Sequence, residues 1–578
     1  MASIHSKTSH GQKYWYIVES RRVNGKPRPV VLAYLGKADS LLKRLNGLTE
    51  GLRFKSYSHG LIAAMLQIAQ KIDVCTIINQ YVKSSRGCVT AKPVRNHLTT
   101  GATLLLAAIG RIGIPTSKRG WSDWAKSTSL EYLLRSNFNK VDSQHFWDLM
   151  DTIPVDSIEH IEEKLLKNVL ARYQLESESL FYDTTNFFTY IGSNNQRCQI
   201  AKRGKNKQKR GDLRQVGLAM VVTQQDKIPL FHLTYEGDTQ DVKVFKSIIH
   251  KIKARLEQLK LNNAEHTIVF DRGNNSKQNM ALIKENQLHY VGALTPYQQQ
   301  SLVADALCFF DKGDDDKQIY RDRRIIWDEE RTVVIYFSKK LRAGKLAGIY
   351  RMLPKKEQEL KELQATLANA KNTKSKKYTK SELEAKIINL LNEQQHAKQL
   401  FHWSLDTVSA GYHLQFEIDR NKLQEIEEEA GLRIIMTDHH DWSNEKIIKT
   451  YQGQAEIENA FKNLKNPYHL TVKPQFHWTD QKIAVHYFIC VLGYLLATLA
   501  WREAKIRASF NGTLDTLLDK LSNVRLATLL ENQETCGCVR TMYQLEEMAD
   551  DEKTLMEALN LMDFHKTRPK IPGIGVYT

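Results

Sequence analysis

From Tyr14 to Leu35 apolar and polar residues alternate with the period of a strand. Tyr14-Trp-Tyr-Ile-Val-Glu19 and Val30-Val-Leu-Ala-Tyr-Leu35 flank a polar stretch containing Asn24-Gly25. Successive strand side chains point to opposite faces, and Asn-Gly tolerates the positive φ of a tight turn. The pattern therefore predicts a β-hairpin inside a small basic β module over residues 1–40. From 41 to 176 leucines and isoleucines recur at helical spacing, with breaks at Gly113-Ile-Pro115 and Pro154. This reads as a helical region, and a DNA-binding role for it is an expectation that the periodicity itself does not supply. Within it, Ser117-Lys-Arg-Gly-Trp-Ser-Asp-Trp124 mixes basic and aromatic residues and suits either DNA contact or a Trp-anchored helix.

At about residue 178 the period changes to that of strands. Leu180–Tyr190, Gln215–Thr223 and Ile228–Tyr235 read as three strands in succession. A helix follows (Asp241–Leu261), then a strand ending at Asp271, a helix (Ser276–Asn286) and a strand (His289–Leu294). Three strands followed by αβαβ is the order of an RNase H-like core, so the fold class is α/β. The first part of that core spans 177–295. Residues 296–432 interrupt it as an insertion domain. It holds strand pieces (Arg324–Trp327, Thr332–Phe337, His413–Ile418) and two amphipathic helices marked by Leu360, Leu363, Leu367 and by Leu383, Ile387, Leu390. The polar stretch Asn372–Thr379 joins them as a helical hairpin. Residues 433–508 complete the core, with one long helix starting near Ser443, and 509–578 read as a helical tail.

Along that long helix Tyr451, Gln454, Glu458, Lys462 and Lys465 recur at spacings of 3, 4, 4 and 3. At about 3.6 residues per turn they share one face. An acid on a stripe with lysines, an amide and a tyrosine suits a metal beside a phosphate. Asp183 and Asp271 end two apolar runs and supply matching carboxylates. Taken singly, each is a turn former or a helix cap; the combination points to chemistry. Two strand-end aspartates and a helix glutamate suit two Mg²⁺ or Mn²⁺ ions, about 3.5 to 4 Å apart, in phosphoryl transfer.

Composition narrows the partner. The 578 residues are 26% charged and 42% hydrophobic, a globular balance, with a net charge of +18. That excess favours a polyanion, nucleic acid before anionic membrane. Its densest concentration is Lys202-Arg-Gly-Lys-Asn-Lys-Gln-Lys-Arg-Gly-Asp-Leu-Arg214, where Lys202, Arg203, Lys205, Lys207, Lys209, Arg210 and Arg214 face the single acid Asp212. We read it as a loop that closes on DNA backbone, against the plainer reading of a solvated loop. Seven scattered cysteines argue for a reducing cytoplasm, and Cys536-Gly-Cys538 lacks the second pair a zinc site needs. Met1–Lys13 has no apolar run of a signal peptide. Ile483–Ala500 has about the length of a membrane span, but His486 interrupts it, and it reads as a buried core helix.

With these residues in place, the chain resembles the insertion-sequence-four-like DDE transposases. Tyr451, Glu458 and Lys465 fit their Tyr-x2-Arg-x3-Glu-x6-Lys signature, Asp271-Arg-Gly273 their second acidic motif and Tyr182-Asp-Thr-Thr185 the first. The N-terminal hairpin ending Leu35-Gly36, with Phe476-His-Trp-Thr479 and Ala484-Val-His486, is similar to the sixteen-thirty-four subgroup. The resemblance runs from about 13 to about 500. It implies an enzyme that binds the terminal inverted repeats of an insertion sequence in double-stranded DNA, cuts them and joins the 3′-OH ends to target DNA. It implies metal ligation by Asp183, Asp271 and Glu458, a homodimeric synaptic complex, and a DNA-associated protein of a prokaryotic cytoplasm with no membrane partner. The long gap between Asp271 and Glu458 resembles the family's insertion domain. One departure stands out: Gln454 occupies the position of the family's arginine, so either a cation such as Lys449, Lys462 or Arg203 replaces it or activity is reduced. The competing readings are a transposase-derived DNA-binding protein with little catalysis and a hydrolytic RNase H-like nuclease without strand transfer.

Overall fold

A computed structural model of the chain describes residues 2–9, 12–23, 26–37, 53–82, 95–175, 177–192, 194–206, 208, 210–261, 265–296, 299–310, 319–369, 379–394, 396–408, 411–532 and 539–575. It divides into two units, Met1–Ile268 with Glu285–Leu288 and Gly453–Thr578, and Val269–Lys284 with His289–Gln452.

The first unit opens with a three-stranded antiparallel sheet of β1 (Ala2–Ser9), β2 (Gln12–Val23) and β3 (Lys26–Lys37). The alternating runs of the sequence are β2 and β3; their Asn24-Gly25 turn lies outside the described residues. Strand β1 was not expected, because Ala2-Ser-Ile-His-Ser-Lys-Thr-Ser9 carries almost no apolar alternation. Tyr16 and Tyr34 face each other across β2 and β3, ring centres 5.1 Å apart. Such cross-strand aromatic pairs set register.

Strands β5 (Ser179–Thr189), β6 (Arg214–Thr223) and β7 (Pro229–Glu236) form an antiparallel meander. The N–H of Thr267 donates to the Glu178 carbonyl at 2.7 Å, which lays the start of β8 (Thr267–Val269) along β5. Helix α3 (Asp241–Gln258) follows α1 (Gly60–Lys71) and α2 (Thr100–Gly113) in the chain. It buries Phe245, Ile248, Ile249 and Ile252, and the Phe245 ring meets that of Tyr182 edge-on at 5.5 Å.

In the second unit β9 (His289–Leu294), β10 (Ile319–Ile326), β11 (Glu329–Phe337) and β14 (Leu432–Thr437) are ordered β10-β11-β14-β9, all antiparallel. This corrects the expected insertion boundaries. Of the pieces expected in the insertion, Arg324–Trp327 and Thr332–Phe337, the first belongs to β10 up to Ile326 and the second to β11, and β11 pairs with β14. Thr332 to Ile335 are buried in succession, as in a strand covered on both faces. Local sequence shows that such a strand exists but not which sheet receives it. The remainder is one sub-structure. Leu360 of α5 (Lys339–Asn369 in the chain) packs with Leu383 and Ile387 of a helix over Lys380–Asn392, and with Leu405 and Leu414 of the hairpin β12 (Phe401–Val408) and β13 (Gly411–Ile418). Here α4 denotes Lys277–Glu285 and α6 denotes Lys380–Asn392. Thr379 and Glu382 cap α6 reciprocally; the rest of the joining stretch, 370–378, lies outside the described residues. The Ser338 N–H donates to the Gly431 carbonyl at 2.8 Å, so this segment leaves and rejoins the sheet at one point.

Two corrections fall at the ends of the helical regions. β4 (Arg53–Ser58) lies in the stretch expected to be helical, and pairs with β15 (Arg525–Asn532), which pairs with β16 (Val539–Leu545) in the tail expected to be helical. A strand whose partner is hundreds of residues away leaves no local signature.

Candidate active site

Strand β5 carries Asp183 where its burial changes: Ser179–Tyr182 are buried and Asp183–Asn186 half-buried. One oxygen of the Asp183 carboxylate accepts the Thr184 N–H at 2.8 Å, which orients the group. Against β5 packs a helix that the sequence reading did not separate from its predecessor. The expected single helix from Ser443 is broken into α7 (Asn444–Gln452) and α8 (Ala455–Asn463). Gly453 lies at the break. Glycine costs about 1 kcal/mol in a helix interior relative to alanine, and the N–H of Glu456, the second residue of the new helix, donates to the Gly453 carbonyl at 2.8 Å.

The break divides the expected stripe. Tyr451 sits on α7 and is buried, not presented with the others; burial raises its hydroxyl pKa, Arg433 opposes that rise and Asp271 adds to it. Gln454 is half-buried in the turn and makes no capping bond. Glu458 and Lys462 are exposed on α8, because Ile457, Ala460 and Phe461 are the residues that face inward. Lys465 lies just beyond α8. Its ammonium reaches the Thr185 hydroxyl and lies 5.4 Å from the Phe187 ring centre. Sequence reasoning missed Lys227, which pairs with Glu456 at 2.6 Å and lies 4.5 Å over the Trp501 ring. It anchors the start of α8, and no local motif marks it. Trp501 belongs to α9 (Asp480–Ala508), which is long and apolar enough to cross a membrane but whose apolar stretch is wholly buried inside the protein.

Asp271, in the second unit with Tyr451, is not quite where it was expected. β8 ends at Val269, and Asp271 instead caps the short 3-10 turn Arg272–Asn274, accepting the Arg272 N–H at 2.8 Å. It is exposed, while Phe270 before it is fully buried. The Asn275 side chain holds the turn to the Ala293 carbonyl of β9.

The basic segment before β6 is less free than its sequence suggests. Lys202 pairs with Glu236 at 2.6 Å and approaches Asp238 at 3.8 Å, so Asp212 is not the only acid it faces. Arg210 grips Asp212 with two bonds of 2.7 Å and holds that carboxyl down to about 2. Asn206 clips the segment by accepting the Arg210 N–H and donating to the Gly204 and Arg210 carbonyls. Arg203 and Lys205 are exposed; Lys207 and Lys209 lie outside the described residues. At the base, the Gln215 amide donates to the Gly237 carbonyl at 2.7 Å, and a Cβ on Gly237 would come within 1.9 Å of the Gln215 carbonyl oxygen.

The three candidate metal ligands are carboxylates, hard oxygen donors that suit Mg²⁺ or Mn²⁺. One group the sequence reading did not find is His289, Asp438 and His439. Asp438 there accepts from His289 at 2.9 Å and from the Tyr290 N–H at 3.0 Å, and burial pulls His439 down to about 3.

The family of transposase DDE domains matches residues 192–474. The N-terminal domain of IS1634 family transposases matches residues 3–59. Asp271 and Glu458 fall inside the first match and Asp183 just before it. No curated protein matches the chain. A solved structure, a piggyBac transposase synaptic complex with hairpin DNA, is similar with a TM-score of 0.38 and 9% identity, over 80% of this chain and 79% of that one. A likeness that distant carries no argument. The two family matches define a DDE transposase, an enzyme of divalent-metal-dependent DNA cleavage and strand transfer. Within that class, the two matches together support the IS1634 group.

Proposed function

We propose that Asp183, Asp271 and Glu458 are the catalytic carboxylates of an RNase H-like core, and that they hold two Mg²⁺ or Mn²⁺ ions. When bound, the ions would activate the attacking oxygen and stabilise the leaving one. The DNA taken is the pair of terminal inverted repeats of the element and then target DNA, with a homodimer bridging the two ends. Lys465 and Lys462 contact phosphate beside the reacting strand, with Gln454 contributing from the turn. Arg203, Lys205 and Lys207 grip the backbone from the segment before β6, and Lys202 and Arg210 do so on exchanging their acids for phosphate.

The observation that supports this reading is the packing of α8 on β5, with Lys465 tied to Thr185 two residues beyond Asp183. It brings the last residue of the helix motif to the strand that carries the first acid. The test is end cleavage and strand transfer of a labelled inverted-repeat duplex in Mg²⁺, read on sequencing gels. Cleavage without joined products would favour a hydrolytic nuclease, and binding without cleavage a transposase-derived DNA-binding protein.

A further inference from the structure

In the first unit a cavity of about 440 Å³ opens among α2, Thr116–Trp121, Ser143–Trp147, Pro474–His477 and α9. It unites two sequence motifs that the catalytic reading leaves unused, Ser117–Trp124 and Phe476–His486. Arg111, Lys118, Arg119, His477 and His486 line it, and no Asp or Glu does among the described residues. Three of these are buried and incompletely bonded. Arg111, 6% exposed, donates through its two terminal nitrogens to the carbonyls of Thr116, Val472 and Lys473, and leaves Nε without a partner. His477, 5% exposed, meets the Lys118 ammonium through Nε2 at 2.9 Å and leaves Nδ1 unpartnered. His486, 1% exposed, donates from Nε2 to the Val472 carbonyl at 2.7 Å and likewise leaves Nδ1 unpartnered.

Buried polar groups are normally bonded. With Lys118 donating to Nε2, the free Nδ1 of His477 is a donor, as is Nε of Arg111. With Nε2 of His486 donating, its free Nδ1 is an acceptor. The cavity thus offers cations and donors for an anion, and an acceptor for a ligand N–H. Its volume exceeds that of a bare phosphate, and Trp121, Phe146, Trp147 and Phe476 complete the wall. Phe476 is 66% exposed, and the Trp147 ring stacks on that of Trp478 at 5.8 Å.

We propose that this cavity takes a single nucleotide unit, its phosphate against Arg111, Lys118 and His477 and its base against Trp147 and Phe476. The proposal rests on the reading of the protein as a DNA enzyme only for the source of that unit, which is a DNA strand or a free nucleotide. Burial, with Arg111 and Lys482 nearby and Cys490 opposing them, pulls the Lys118 ammonium down to about 7. An anion beside it favours the charged form, so binding takes up a proton and tightens as pH falls from about 8 to about 7, above the second protonation of a phosphate monoester at about 6. Arg111 faces Lys118 from α2, and Lys482, His486 and Cys490 from α9, with His477 on the connecting chain.

The test is titration of the full chain, followed by tryptophan fluorescence and calorimetry, with inorganic phosphate, dAMP and a ten-nucleotide single strand. Lys118→Met and Phe476→Ala are compared with the natural protein. We expect dAMP or the single strand to bind, each variant to weaken it about tenfold, and Lys118→Met to flatten the pH dependence. Phe476 is exposed, so its variant tests the site even if Lys118→Met unfolds. Tighter binding of the strand than of dAMP identifies DNA as the source; the reverse identifies a free nucleotide. Binding of phosphate as tight as dAMP, no saturable binding, or unchanged affinity in Phe476→Ala overturns the proposal. None of these measurements requires cleavage, so an inactive enzyme that binds dAMP would fail the catalytic reading and leave this one standing.

Discussion

The ammonium of Lys465 meets the hydroxyl of Thr185, two residues along β5 from Asp183. A cation held at that spot can serve a phosphate without first being ordered. Lys465→Met is expected to slow single-turnover end cleavage by ten- to a hundredfold, the order of one lost charge-assisted contact in a reacting site. Its effect on melting temperature should be slight, since the residue is exposed. Cleavage at the natural rate would remove Lys465 from the site.

Asp183→Asn, Asp271→Asn and Glu458→Gln are each expected to abolish cleavage while duplex binding, followed by gel shift, stays within about threefold. Chelation of divalent ions should reproduce the loss in the natural protein. A variant that cleaves normally in Mg²⁺ is not a ligand.

Gln454 stands at the turn between α7 and α8 and makes no capping bond there. A guanidinium offers paired, charged donors where the amide offers neutral ones. Gln454→Arg is therefore expected to leave end cleavage unchanged or to raise it. A fall in rate would mean that another cation has taken the place and that the new side chain crowds it.

Gly237→Ala should lower stability by about 1–3 kcal/mol, the usual range for overpacking, because its Cβ would strike the Gln215 backbone carbonyl. The basic segment is tied down at the same spot, through the Gly237 N–H to Ile200 and the Gln215 amide to Gly237. Thermal unfolding and DNA affinity should thus fall together.

A chain of net charge +18 is expected to lose DNA affinity steeply with salt, each neutralised phosphate adding about −0.9 to the logarithmic slope. Fluorescence anisotropy between 50 and 200 mM salt, as approximate limits, measures it. A nearly flat response would point away from DNA as the main partner.

Part of the candidate site's geometry was legible because it is local. The run before Asp183 reads as a strand, and Glu458 and Lys462 lie on one short helix as their spacing requires. What escaped was decided at a distance or by a single residue. Gly453 ends α7 where the apolar period runs on unbroken, so Tyr451 turned out buried rather than part of the exposed stripe. β4 and β15 are recognisable only together. Acids that neutralise the basic segment, Glu236 and Asp238, come from the end of the next hairpin, and Lys227, which fixes α8 through Glu456, comes from a turn with no motif. The order of three strands then αβαβ was found along the chain; that β10 and β11 join the same sheet as β14 required knowing the pairing.

The bond from Ser338 to Gly431 has a consequence for how such a chain can change. Everything from 339 to 430 enters and exits through one backbone hydrogen bond at the end of β11 and the start of β14. Its hydrophobic centre draws on its own residues. A change in its length costs little entropy, because loop-closure cost grows only slowly with length. The segment is thus built like a tool on a fixed handle, a separate hydrophobic centre joined to the sheet at one point.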